Sequence, residues 1–474
     1  MKKYMFLSLF SLVLVLGCKE LPAKKEERTS TNVAAITDAT SENAVIYEAN
    51  IRQYSPEGTF EAFTQDIPKL KALGVKIIWV MPINPISKVK RKAKGDLFTS
   101  QIEDPKEREK YLGSYYAVSD YKAINPEFGN LEDFKTLVNT AHTNGMHIIL
   151  DWVPNHTGWD HPWIKEHPDY YTQNEQGEII DPSDPDTGVS YGWTDTADLN
   201  YDNQEMRTAM LDALTYWVEI ANIDGYRMDV AHQVPQDFFE TATTALQQIK
   251  PVFMLAEAEQ ASLMEKGFDM HYAWELHHLM NDLSKGHKSL TELDAYLAKM
   301  DTLLAADDIT MNFITNHDEN SWAGTLEERM PGRKEIFTAL IYSLPGMPLI
   351  YSGQEYDLNH RLKFFEKDSI PKTKGAYFEL LSKLGALKNT HPALHGGKSA
   401  AAYKRLKTNN PNIFSFKRGK DGRELCFIGN FSNDTQKVRI GYGKLYTDYL
   451  NNSSYIPENS EIELGAWEFK IITE

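Results

Sequence analysis

Hydrophobic positions along this chain gather into short runs separated by longer amphipathic stretches. The runs occupy residues 45–49, 77–81, 147–151, 225–229, 252–256, 268–272, 310–314 and 349–351. Short runs that are apolar at nearly every position read as strands buried on both faces, and the stretches between them read as helices. Such alternation makes an α/β protein with a parallel sheet, and eight runs are enough to close that sheet on itself. The pattern predicts a (β/α)8 TIM barrel over residues 44–395.

Two regions break the alternation. Residues 157–196 are rich in Asp, Pro, Tyr, Trp and Gly with little helical periodicity, so a short inserted loop domain is expected to protrude there. From residue 396 to 474 the pattern changes to short alternating strands, such as Ile413-Phe414-Ser415-Phe416-Lys417 and Glu424-Leu425-Cys426-Phe427-Ile428, which predict a C-terminal all-β sandwich domain.

The beginning of the chain differs again. Lys2 and Lys3 precede an apolar run from Met5 to Leu16, which is too short to span a bilayer and reads as a signal peptide over residues 1–17. It ends Val15-Leu16-Gly17-Cys18, which resembles the lipobox of bacterial lipoproteins and implies lipidation of Cys18, export, and attachment to a membrane through an N-terminal lipid anchor. Residues 18–43 are mostly Lys, Glu, Ser, Thr and Ala, and are expected to form a flexible tether. With Cys18 acylated, Cys426 is the remaining cysteine and has no partner for an intrachain disulfide.

Charge excludes more than it selects. A formal net charge of −17 argues against nucleic acid as a partner and against a polybasic membrane patch, and leaves a neutral substrate open.

Polar residues cluster where four of the strands end: Asp151-Trp152-Val153-Pro154-Asn155-His156, Gly225-Tyr226-Arg227-Met228-Asp229, Ala256-Glu257 and Thr315-Asn316-His317-Asp318. Carboxyl ends of barrel strands converge on one mouth, so Asp229, Glu257 and Asp318 should meet. Glycoside hydrolysis uses one carboxylate as nucleophile and one protonated carboxyl as acid. Arg227, two residues before Asp229 on one strand, should hold Asp229 ionised, and the apolar run before Glu257 should raise its pKa and keep it protonated.

These segments resemble glycoside hydrolase family 13, the α-amylase family, from about Ala44 onward, with further matches at 74–82, 198–200 and 346–355. The resemblance implies a retaining α-glucan hydrolase acting on α-1,4, or also α-1,6, glucosidic bonds of starch-derived substrates. In it Asp229 is the nucleophile, Glu257 the acid/base, and Asp318 the residue that grips sugar hydroxyls. Tyr116, His156, Arg227, His232 and His317 are implied as substrate-binding, and Asp151 as a support for Arg227. Trp79, Trp152 and Trp274 are read as wall or core residues.

Asn155 and Asp198 match positions that hold calcium in much of the family; a direct hydrogen bond of Asp198 to Asn155 or to loop amides is the alternative. No organic cofactor is implied. Val230, after the nucleophile position, leans towards members of broader bond specificity. Two other activities fit the same residues: a transglycosylase or glucosyl-isomerising member, and an inactive starch-binding lipoprotein, against which the intact carboxylates count.

Overall fold

The structure, a computed structural model, describes residues 35–474 except 96, 306, 441–445, 452 and 457–460. The expected signal peptide, Cys18 and most of the tether lie outside the described residues.

Eight parallel strands close a barrel in chain order: β1 (Val45–Ala49), β2 (Val75–Val80), β3 (His147–Trp152), β4 (Gly225–Met228), β5 (Phe253–Ala256), β6 (Met270–Tyr272), β7 (Ile309–Asn312) and β8 (Met347–Tyr351), with β8 paired back to β1. Each strand falls on one of the apolar runs, displaced by a residue or two at most ends. Residues pointing inward, among them Ile46, Ile77, Trp79, Ile149, Leu255, Tyr272, Met311 and Leu349, form one buried cluster that fills the barrel. Outward residues pack under the helices in a second, larger cluster.

The helix Gln204–Ala221 shows how the pattern builds that outer layer. Met206, Met210, Ala213, Leu214, Trp217, Val218 and Ala221 recur at helical spacing and are its buried face, while Asn203 caps the start by accepting from the amides of Glu205 and Met206. Asn222 ends it in the left-handed conformation. The chain then enters β4 through Gly225, where φ is +151° and a Cβ would sit 1.8 Å from the Phe253 carbonyl oxygen. No residue with a side chain fits that approach.

The insertion is anchored at its base by two short antiparallel strands, His156–Gly158 and Thr196–Asp198. Beyond the barrel, the strands Ala402–Arg405, Ile413–Lys420, Arg423–Asn430, Phe469–Thr473, Tyr446–Asp448 and Ser453–Ile456 form one sheet, and Gln436–Arg439 pairs with Glu461–Leu464 in another. Ile413, Cys426, Ile428, Val438, Ile462 and Leu464 pack together between them. Cys426 is a free, buried thiol whose pKa burial pushes up to about 12.

The expected tether differs at its end. Residues Asp38–Asn43 are helical, with the Thr37 hydroxyl capping the Thr40 amide. Buried Glu42 explains the ordering: its carboxylate accepts from the Ser399 amide and its carbonyl from the Gly396 amide.

Candidate active site

Strand ends deliver the polar groups to one mouth, as the alternation predicts. Asp151 stands near the end of β3, Arg227 on β4 with Asp229 just past it, Glu257 just past β5, and His317 and Asp318 on the loop after β7. Arg227 joins three of the carboxylates. Its Nη1 donates to Asp151 Oδ1 at 2.7 Å and to Asp229 Oδ1 at 2.8 Å. Its Nη2 lies 2.7 Å from Glu257 Oε1 without the alignment of a hydrogen bond, and its Nε donates to the Tyr272 hydroxyl. A wholly buried guanidinium persists only with such pairing, and the Trp79 ring 4.9 Å from it completes the enclosure.

The division of protons between Asp229 and Glu257 corrects the sequence reading. Burial, and then the neighbouring Glu257 charge, push Asp229 well above the usual carboxylate range, with Arg227 opposing. Burial would also raise Glu257, but Arg227 and the Val230 amide, which donates to Glu257 Oε2 at 2.8 Å, hold it below its usual value. The reason is conformational: the Glu257 side chain is turned in against the same cation as Asp229 and also accepts from the Val230 amide. Two carboxyls around one guanidinium titrate as a pair.

His317 is fixed from both ring nitrogens. Nδ1 is 2.5 Å from Glu48 Oε1, Nε2 is 2.8 Å from the Tyr116 hydroxyl, and Asp318 Oδ2 lies 3.3 Å from Nε2. Burial disfavours its charge, but Asp318 and Glu48 outweigh burial and push the imidazole up to about 9. Tyr116 stacks on His317 at 5.4 Å and donates its hydroxyl proton to Asp151 Oδ2 at 3.1 Å. His156 is the opposite case: burial pushes it down to about 3, so it is a neutral ring.

Tyr116, His156, Asp229, Glu257, His317 and Asp318 line one cleft of about 430 Å³. His232 does not; it is exposed on the turn Ala231–Gln233. Trp79 and Trp152 are buried, and Trp274 stacks on Tyr272 at 5.5 Å, outside the cleft lining. Sequence reasoning missed Lys92, Trp193, Asp195, Trp322, Phe364 and Phe365, which also line it. Trp322 is 55% exposed and leans on Phe364 at 5.1 Å. The available signal was an aromatic four residues after Asp318 and a Phe-Phe pair in an otherwise polar segment.

Asn155 and Asp198 are brought together by the insertion's base, where Asp198 pairs with His156 and the Leu199 amide donates to the Asn155 carbonyl. Burial pushes Asp198 up to about 6, a hydrogen bond from Thr172 opposing, and the Asp181 charge adds to the rise. Among the described residues no three His, Cys, Asp or Glu side chains gather as a metal cluster. A cation here would draw on one half-buried carboxylate, the Asn155 amide, and backbone or water oxygens, a hard-oxygen set that fits calcium.

The family described as "Alpha amylase, catalytic domain" matches residues 28–187 and 188–376. The chain is 24% identical over 430 residues to the α-amylase MalA of Haloarcula japonica, covering 87% of this chain and 59% of that protein. It is 26% identical over 369 residues to a cyclomaltodextrin glucanotransferase of Bacillus licheniformis, covering 71% of this chain and 50% of that one. It therefore spans half to about three fifths of the length of these relatives. The crystal structure of an α-amylase from Lactobacillus plantarum superposes with a TM-score of 0.79 at 27% identity, covering 92% of this chain and all of that one. With the family matched across the barrel and the site that its motifs place there, the chain belongs to the α-amylase family through its catalytic domain.

Proposed function

We propose that this protein is a retaining α-glucan hydrolase, cleaving α-1,4, or also α-1,6, glucosidic bonds of starch-derived chains through a covalent glycosyl-enzyme intermediate. The observation that carries the reading is Arg227 holding Asp151, Asp229 and Glu257 together in the cleft. In the first step Asp229 attacks the anomeric carbon while Glu257 gives its proton to the glycosidic oxygen, and the leaving chain departs as an alcohol. In the second, Glu257 takes a proton from water, the water oxygen attacks the same carbon, and the bond to Asp229 breaks. Substrate entering beside Glu257 displaces it from Arg227 and the Val230 amide. That raises its proton affinity and leaves Arg227 to stabilise ionised Asp229.

Products from soluble starch, pullulan and a cyclodextrin identify the bond cut, and NMR of the first product reads its anomeric configuration. Retention is expected; inversion overturns the nucleophile role. Asp229→Asn and Glu257→Gln should each lower kcat by ~10³-fold or more with the fold kept, as for loss of half of a two-carboxylate machinery. Wild-type-like activity in either variant overturns the reading.

A second reading is transfer to a sugar hydroxyl, supported by the exposed aromatic surface of Trp322 with Phe364 and Phe365 in the same cleft, which suits an acceptor sugar. Oligosaccharides longer than the substrate, or trehalose, would select it. For residues 1–18 we propose export and lipidation at Cys18, resting on the lipobox-like sequence; Cys18→Ser should release the protein from membranes or block its processing. An unchanged membrane fraction would refute this. We also propose calcium at Asn155 and Asp198, held by the oxygen set described above.

A further inference from the structure

Strand β1 carries a carboxylate into the barrel. Val45, Tyr47 and Ala49 face the helices while Ala44 and Ile46 face the interior, so alternation turns Glu48 inward, where it is fully buried. It is not among the residues that line the cleft. Its Oε1 lies 2.5 Å from His317 Nδ1 and 3.4 Å from the His317 amide, while Oε2 has no hydrogen-bond partner among the described residues. A carboxyl out of water with one oxygen unsatisfied is destabilising, and its contact with His317 is what offsets that here.

Hydrogen-bond polarity fixes the protons of that ring. Asp151, paired with Arg227, accepts at Oδ2 from Trp79 Nε1 and from the Tyr116 hydroxyl, each at 3.1 Å. With its proton directed to Asp151, Tyr116 can only accept from His317 Nε2, 2.8 Å away, so Nε2 carries a hydrogen. A neutral ring has one hydrogen for two acceptors, Tyr116 and Glu48, and only a second proton, held between Nδ1 and Glu48, serves both. Asp151, Arg227, Glu257 and Asp318 are the other charges that act on the ring. Burial and Arg227 disfavour its charged form, while Asp318 and Glu48 favour it. Tyr272 and Tyr351 face Glu48 from β6 and β8.

The two anions on His317 differ in access. The Asp318 side chain is 39% exposed and lines the cleft, open to a ligand that draws on its lone pairs, whereas Glu48 lies behind the ring and keeps its hold on Nδ1 throughout. His317 Nε2 and Asp318 Oδ2, 3.3 Å apart, offer a donor beside an acceptor, and one sugar hydroxyl can accept from the first and donate to the second. If Nε2 lost its hydrogen, two acceptors would face that hydroxyl and Tyr116 would lose its donor.

We propose that Glu48 is a positioning residue which, through Nδ1, keeps His317 Nε2 a donor to the sugar hydroxyl that Asp318 grips, an inference that rests on the hydrolase reading above. NMR of isotope-labelled imidazole nitrogens, assigned against His317→Gln, should show hydrogen on Nε2 at neutral pH in the wild type and a titration midpoint of about 9. In Glu48→Gln that midpoint should fall by ~1–3 pH units, and kcat/KM on maltoheptaose at neutral pH by ~100-fold. Glu48→Asp, which restores a charge at greater distance, should regain part of both. Added to His317→Gln, Glu48→Gln should lower kcat/KM by less than ~3-fold more, because the ring it acts through is gone. A wild-type ring bare at Nε2 overturns the inference even if no variant folds. So does an unmoved midpoint in folded Glu48→Gln, or an undiminished further loss in the double variant. Those results leave the hydrolase reading intact. If the wild type shows the expected titration and cleaves no α-glucan, that reading falls and this inference with it.

Discussion

Arg227 and His317 are the two cations that let the carboxyls of this site stay close together out of water. For His317 the folded value of about 9 lies above the ordinary 6.5, so folding favours its protonated form. Its contribution to stability is complete below about pH 6.5 and is lost as pH rises through about 9. Melting temperature should therefore fall across that window more steeply in the wild type than in His317→Gln, and kcat/KM should fall in the same window as the grip on Asp318 and Tyr116 loosens. Parallel melting curves for the two proteins would show that His317 is not charged. At this scale the identity of the groups was legible, but their protonation was not. The apolar run before Glu257 suggested a raised pKa, and only the side chain's turn onto Arg227 and the Val230 amide reverses it.

Among the elements, the link from β4 to its following turn does the most to set the site. Val230 has φ of 41°, a left-handed conformation costly for a β-branched residue, and its amide meets Glu257 Oε2. Relief of ~1–2 kcal/mol of strain is set against ~0.5–1 kcal/mol of added chain entropy for glycine. Val230→Gly should thus be neutral to slightly stabilising in urea melts. A loss of several kcal/mol would show that Val230 packing, not its backbone, matters. The strands themselves were readable because burial on both faces leaves a continuous apolar run. The helix Asp38–Asn43 was not, since its polar residues are ordered by Gly396 and Ser399, far along the chain.

For the whole molecule, the insertion is held to the barrel at its base by the hairpin that carries His156 and Asp198, and along its side by contacts of Lys88, Lys90 and Lys92. Calcium bound at the base would stabilise the folded state by mass action. Chelation should then lower the melting temperature, and Asp198→Ala should lower it too and abolish the chelator's effect. Unchanged melting on chelation would leave Asp198 as a half-buried carboxyl hydrogen-bonded by Thr172.

The sequence alone determined the barrel, the insertion's position, the all-β end, and the meeting of Asp229, Glu257 and Asp318, because strand burial and strand-end placement are local patterns that repeat. Tertiary structure decided what depends on approach between distant segments. It joined Lys92 to Asp195, set Trp322 against Phe364, left His232 outside the cleft, and turned Glu257 onto Arg227 and the Val230 amide. Ion pairing and desolvation act over a few ångströms in space, and the residues concerned are separated by tens to hundreds of positions in the chain.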